Sequence, residues 1–190
     1  NDDCANAIAL ACGSTVSGST ATATLDGPAT NCVGLSVAPD VWYTVVGNGA
    51  NITASLCGSA YDTKIDIYTG SCGSLTSVAC NDDFCGFQSE VTWLSVAATT
   101  YYIRVHGFVG ATGSYTLSVS CACLPPTITC PANITVSNAA NQCGNTVSYT
   151  PTVTGLPAPA VTYSFSGATT GGGSGDGSGS FFNVGTTTIT

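Results

Sequence analysis

TYYIRVHGFVGATGSYTLSVSC, residues Thr100–Cys121, decides the fold. Tyr101, Ile103 and Val105 alternate with polar or bulkier neighbours and line one face of a strand. Tyr115, Leu117 and Val119 do the same on the next, after a glycine-rich break. An apolar period of two is the mark of a half-buried strand, and faces of this kind require two packed sheets. Working outward, "EVTWLSVA" (90–97), "KIDIYTG" (64–70) and "NITASL" (51–56) repeat the pattern, the last with Ile52, Ala54 and Leu56 together. In "DVWYTVVG" (40–47), Val41, Tyr43 and Val45 face one way and Trp42, Thr44 and Val46 the other. No stretch sustains helical spacing. The expected fold is all-β, built as a β-sandwich.

A boundary is legible at "CACLPPTITC" (121–130), where Pro125–Pro126 cannot continue a central strand and favours an extended connector. Two sandwich modules in tandem are therefore expected, 1–124 and 125–190. The second runs through "TITCPANITVS", "GNTVSYTPTV", "PAVTYSFSG" and "FFNVGTTTIT", enough for about five strands. The tract Gly171–Ser180 lacks the lysine and following helix of a phosphate-binding loop and reads as a flexible connection.

Composition sets the class. The 190 residues include eleven cysteines and no methionine, with 6% charged and 44% apolar residues, which describes a secreted, disulfide-bearing chain. Such a chain is expected to have lost a signal peptide or to be an excerpt of a longer protein. Lys64 and Arg104 face ten carboxylates, and a chain so poor in cations has little to offer nucleic acid or anionic membranes. No apolar run approaches the roughly 20 residues that span a bilayer. Surface solubility then falls to Ser, Thr, Asn and Gly, or to attached sugar at the sequons Asn51-Ile-Thr and Asn133-Ile-Thr.

The segments "NDDCANAIALACGSTVSGSTATAT", "DVWYTV", "YDTKIDIYTGSCGSL", "CNDDFCG", "YYIRVHG" and "GSYTLSVSC" resemble bacterial pre-peptidase C-terminal domains over residues 1 to about 122. Residues from about 126, through "PPTITCPANITVS", "QCGNTVSYT" and "FFNVGTTTIT", resemble a hyalin repeat, a module of immunoglobulin-like topology. The resemblance implies a secreted or surface-attached protein whose two modules are non-catalytic. In the hyalin pattern the "VGTTTIT" strand runs on into a further strand carrying a cysteine, and "TGLPAPA" stands where an Asn-Cys is usual. On this reading the second sandwich lacks its final strand, and Thr186, Thr187, Thr188, Ile189 and Thr190 form an interface for another strand.

The odd number of cysteines leaves at least one without an intrachain partner. Cys4, Cys12, Cys32, Cys57, Cys72, Cys80, Cys85 and Cys121 can pair fully within the first module. Local bridges are expected for Cys4 with Cys12 and Cys72 with Cys80, and the leftover thiol falls among Cys123, Cys130 and Cys143. Its partner belongs either to a missing segment or to a neighbouring molecule. Asp62, Asp66, Asp82 and Asp83 form the densest acidic group, flanking a strand and the "CNDDFCG" turn, where hard oxygen ligands suit Ca²⁺; turn chemistry alone also favours Asn and Asp there. Some domains of the resembled family bind calcium.

Catalysis has little to draw on: His106 is the single histidine and no G-x-S-x-G or H-E-x-x-H is present. The first functional expectation is a fibre subunit that adds a strand from another copy, its donor an internal strand such as "STVSGSTATAT" (14–24) or a segment outside this sequence. The second is a glycan- or substrate-binding accessory module of a longer secreted protein, with Phe84 and Phe87 as the exposed aromatic platform and Trp42 and Trp93 in the core.

Overall fold

The computed structural model describes residues 1–29, 32, 38–156 and 158–190, and the chain divides into two compact units, Asn1–Ala122 and Cys123–Thr190. Both are built from β-strands. Among the described residues no helix is long and apolar enough to cross a membrane.

The first unit contains β1 (Ile8–Leu10), β2 (Thr15–Ser19), β3 (Val41–Val46), β4 (Asn51–Ser55), β5 (Thr63–Ser71), β6 (Ser74–Asn81), β7 (Glu90–Leu94), β8 (Thr100–Gly107) and β9 (Ser114–Cys121). They form two sheets, ordered β1-β3-β8-β5-β6 and β2-β9-β4-β7. All pairings are antiparallel except β1 on β3. The alternation explains the packing: Val41, Tyr43, Val45, Ile65, Ile67, Tyr101, Ile103 and Val105 from one sheet meet Ile52, Ala54, Val91, Trp93, Tyr115, Leu117 and Val119 from the other. Burying each large side chain contributes about 1.5–3 kcal/mol, so this layer is the main source of stability. The hydroxyls of Tyr43 and Tyr115 meet at 2.6 Å and satisfy each other inside it.

Four disulfides staple this unit: Cys4–Cys72, Cys12–Cys121, Cys32–Cys80 and Cys57–Cys85. The expected local bridges, Cys4 with Cys12 and Cys72 with Cys80, do not form. Strand β1 lies between Cys4 and Cys12 and carries them apart along β3. Cys72 sits at the tip of the β5–β6 hairpin while Cys80 lies opposite Asp66, eight residues down a strand that rises about 3.3 Å per residue. The segment proposed as an internal donor is likewise occupied, since β2 pairs with β9 from Thr15↔Ser118 to Ser19↔Ser114.

The second unit contains β10 (Leu124–Thr129), β11 (Gly144–Val147), β12 (Thr152–Leu156), β13 (Thr162–Gly167), β14 (Gly171–Ser174), β15 (Ser180–Asn183) and β16 (Thr187–Ile189). The pairings are β10-β12, β11-β15 and β14-β13-β16. Pro125–Pro126 lies within β10 rather than in a connector. Proline is tolerated there because β10 is an edge strand and its register shifts between Leu124 and Thr127. The tract expected to be a loose loop is strand over Gly171–Ser174, because a ladder needs only backbone. A Cβ on Gly172 would lie 2.7 Å from the carbonyl of Tyr163, so glycine is what allows β14 to approach β13. In contrast, the strand-like run Asn133–Ser137 forms no strand, and all five residues are exposed.

Candidate functional site

The outer face of the first sheet is a covered polar layer. Because Trp42 stands opposite Arg104, Asp66 opposite Arg104, and Lys64 opposite His106, the residues that alternate with the apolar core converge there. Arg104, Lys64, His106 and Asp40 are completely buried, and Asp66 nearly so. The Arg104 guanidinium donates to Asp40 Oδ2 from Nη2 at 2.6 Å and from Nε at 2.9 Å, and to the Pro28 carbonyl from Nη1 at 2.7 Å. Asp66 Oδ2 lies 3.5 Å from Arg104 Nη1 and 2.9 Å from His106 Nε2. The Trp42 indole N–H is shared between Asp26 Oδ1 at 2.7 Å and Asp40 Oδ1 at 3.1 Å. A Cβ on Gly27 would stand 2.2 Å from Arg104 Nε, so glycine lets the covering backbone lie flat on the guanidinium.

Burial, reinforced by the hydrogen bond shared with Asp26, pushes the Asp40 carboxyl up to about 6 against the pull of Arg104. Burial also acts upward on Asp26, but hydrogen bonds from Asp40, the Cys4 N–H and Trp42 outweigh it and hold that carboxyl below its ordinary value. Burial lowers His106, opposed by Asp66, and keeps the imidazole neutral at pH 7. A His–Asp pair with no exposed edge offers no proton to a substrate in solvent. This layer fixes the sheet.

The acidic group divides. Asp62, Asp82 and Asp83 bring carboxylate oxygens within 4.8 Å of one another, whereas Asp66, expected to join them, points into the polar layer toward Arg104 and His106. The reason is position along the strand: Asp62 precedes β5, whereas Asp66 lies within it, opposite Arg104 on β8 and Cys80 on β6. Lys64 Nζ stands 3.6 Å from Asp82 Oδ2. The Oδ1 atoms of Asp62 and Asp82 are buried without a hydrogen-bond partner. Burial, then repulsion from Asp82 and Asp83, raises Asp62; burial raises Asp82 against Lys64.

Beside this group, Phe84 and Phe87 project with 64% and 68% of their surface exposed. Their turn is held by the Cys57–Cys85 bridge and by the Phe84 and Cys85 N–H groups donating to the Gln88 carbonyl. Trp42 and Trp93 are both buried, Trp93 between the two sheets and Trp42 on the covered outer face with Cys4 and Tyr68. Asn51 and Asn133 are both exposed.

The second unit presents an open edge. Thr190 and Ser164 exchange both backbone hydrogen bonds, at 2.9 and 3.0 Å, and the Ala168 N–H donates to the Thr186 carbonyl at 2.9 Å. Antiparallel alternation therefore turns Thr186, Thr188 and Thr190 toward β13 and the N–H and C=O groups of Thr187 and Ile189 away from it. Among the described residues no strand pairs on that outer side. Among the described residues of this unit Phe165 is the one buried hydrophobic residue, packed against Tyr163 and Phe182 at ring distances of 4.7 and 5.0 Å. Ile128, Ile134, Val136, Leu156, Phe181, Val184 and Ile189 are exposed. So are the free thiols of Cys123, Cys130 and Cys143.

The Arg104–Asp40 pair and the long-range bridges were not anticipated from sequence. Parity alone could have placed Asp40 with Trp42 and Arg104 with His106, but not one pair against the other.

No protein-family model matches the chain, and no curated protein matches it. Among solved structures it is similar to the pre-peptidase C-terminal domain of a collagenase from Bacillus anthracis, at 19% identity and a TM-score of 0.42, over 60% of this chain and 95% of that one. It is also similar to PliG, a periplasmic inhibitor of g-type lysozyme from Aeromonas hydrophila, at 15% identity and a TM-score of 0.40, over 60% of this chain and 96% of that one.

Proposed function

We propose that the chain is a non-catalytic structural module of the cell exterior whose second unit is completed by a β-strand from another molecule. Four disulfides belong to an oxidising compartment. The observation that carries the reading is burial: among its described residues the second unit fully buries one large apolar side chain, Phe165, half-buries Val147, Val153, Val161, Tyr163 and Phe182, and leaves Ile128, Ile134, Val136, Leu156, Phe181, Val184 and Ile189 in solvent. A sandwich needs two covered faces, and a strand laid on the outer edge of β16 would supply the missing cover together with partners for Thr187 and Ile189. If the same contact repeats head to tail it does not close, and a filament results. Electron microscopy of the purified chain at high concentration tests this: filaments or linear oligomers are expected, and uniformly single particles would overturn it.

A second reading is favoured by the rigid exposed pair Phe84 and Phe87, which suits a glycan face, with Asn81, Asp83 and Gln88 nearby in sequence to meet hydroxyls. Loss of glycan-array signal in Phe84→Ala/Phe87→Ala would support it; an array silent for the unaltered chain counts against it. The Asp62, Asp82 and Asp83 carboxylates, two of them with unpartnered buried oxygens, could hold Ca²⁺, with Lys64 as the competing charge.

A further inference from the structure

Resting on the strand-addition reading, we infer that the incoming strand is the segment Asn133–Ser137 of a second copy of this chain. The segment has the alternation of a strand, with Ile134 and Val136 on one side and Asn133, Thr135 and Ser137 on the other. It nevertheless pairs with no strand among the described residues, and Ile134 and Val136 are 49% and 51% exposed. Its tie to the rest of the unit is at one end, where Asn145 Nδ2 donates to the Ser137 carbonyl at 2.8 Å. A β-branched, uncharged run of this kind is stable as a strand only when a ladder takes up its N–H and C=O groups.

The other segments that could serve are engaged. Strand β1 lies between Cys4 and Cys12, bridged to Cys72 and Cys121, and so is fastened on both sides. Strand β2 is the partner of β9. The acceptor matches the donor in length, five residues from Thr186 to Thr190 against five from Asn133 to Ser137. Charge permits the union: from Cys123 to Thr190 the only charged side chain is Asp176, so neither edge carries the Lys or Glu that ordinarily keeps strands apart. Apolar side chains at Ile134 and Val136 would then cover part of the exposed set around β16. Each copy carries one donor and one acceptor, which makes the contact directional.

The test uses two full-length variants and their mixture, followed by sedimentation velocity. Val136→Pro removes a donor N–H that no strand pairing uses, and Ile189→Pro removes an N–H turned away from β13; Ile189→Lys is the companion variant should proline disturb β16. Each variant alone is expected to remain monomeric while the unaltered chain oligomerises. An equimolar mixture of Val136→Pro with either Ile189 variant is expected to give dimers and nothing longer, because one intact acceptor meets one intact donor. If Val136→Pro assembles like the unaltered chain while the Ile189 variants do not, the donor assignment is overturned and strand addition at β16 stands. If all variants assemble alike, or the unaltered chain is monomeric, both ideas fail.

Discussion

Arg104 and Asp40, 64 residues apart in sequence, are joined inside the first unit by two hydrogen bonds to one carboxylate oxygen, with both side chains completely buried. Removing one member of such a pair leaves the other charge uncompensated. Arg104→Ala is expected to destabilise the first unit by about 3–5 kcal/mol, read as a lowered urea midpoint. A loss below about 1 kcal/mol, the range of surface pairs, would contradict the burial described here.

The same layer sets the pH response. Asp40, raised to about 6, keeps a proton in the folded state that the unfolded chain has released; its contribution to stability therefore declines as pH rises from about 4 to about 6. The raised carboxyls of Asp62 and Asp82 act in the same sense. His106 is lowered, so the unfolded chain takes up a proton first as pH falls through about 6.5, and stability is lost on acidification. His106→Gln removes only the loss. Its melting temperature, relative to that of the unaltered chain, is expected to improve as pH is lowered from 7 to 5; an unchanged difference across that range would contradict the assignment.

Cys12 and Cys121 close the longest covalent loop, with a sequence separation of 109. Chain-entropy reasoning gives a cross-link of this span about 4–5 kcal/mol. Replacing both with serine is expected to lower the melting temperature of the first unit more than replacing Cys57 and Cys85, whose separation is 28. Calorimetry of the two double variants compares them directly.

Three thiols lie exposed in the second unit. Alkylation without denaturant or reductant is expected to add three groups, by intact mass, to the monomer whose four disulfides are intact. Three is odd, so air oxidation should yield chains linked between molecules, seen as a ladder on non-reducing gels. A product that is monomeric and still carries three free thiols would refute this.

Calcium uptake by Asp62, Asp82 and Asp83 would relieve the repulsion that adds to burial in raising Asp62. Added calcium is expected to raise the melting temperature of the first unit and a chelator to reverse the gain. Indifference to both removes the cation from the account.

Strands β3, β4, β5, β7, β8 and β9 were legible because period two is a local property of the chain: Tyr101, Ile103 and Val105 declare one face by themselves, whereas β1 and β6 carry no such signal. The exposed aromatic turn was legible for the same reason, as Phe84 and Phe87 lie between turn-forming residues. Disulfide partners were not, because Cys12 reaches Cys121 only once β2 has paired with β9. Nor was the fate of Asp66 legible, since its partners Arg104 and His106 come from β8, distant in sequence. In the second unit, "NITVS" has strand propensity without a strand, because a ladder needs a partner as well as a pattern. The Gly171–Ser174 strand errs the other way, its glycines hiding a ladder made entirely of backbone.

The central claim, that the second unit accepts a strand from another copy, is tested most directly by sedimentation equilibrium of the oxidised chain with its free thiols blocked, over a wide concentration range. Strand addition predicts a mass that grows with concentration beyond the 18.8 kDa of one chain, without plateau at a dimer. A single species of 18.8 kDa at every concentration would contradict it.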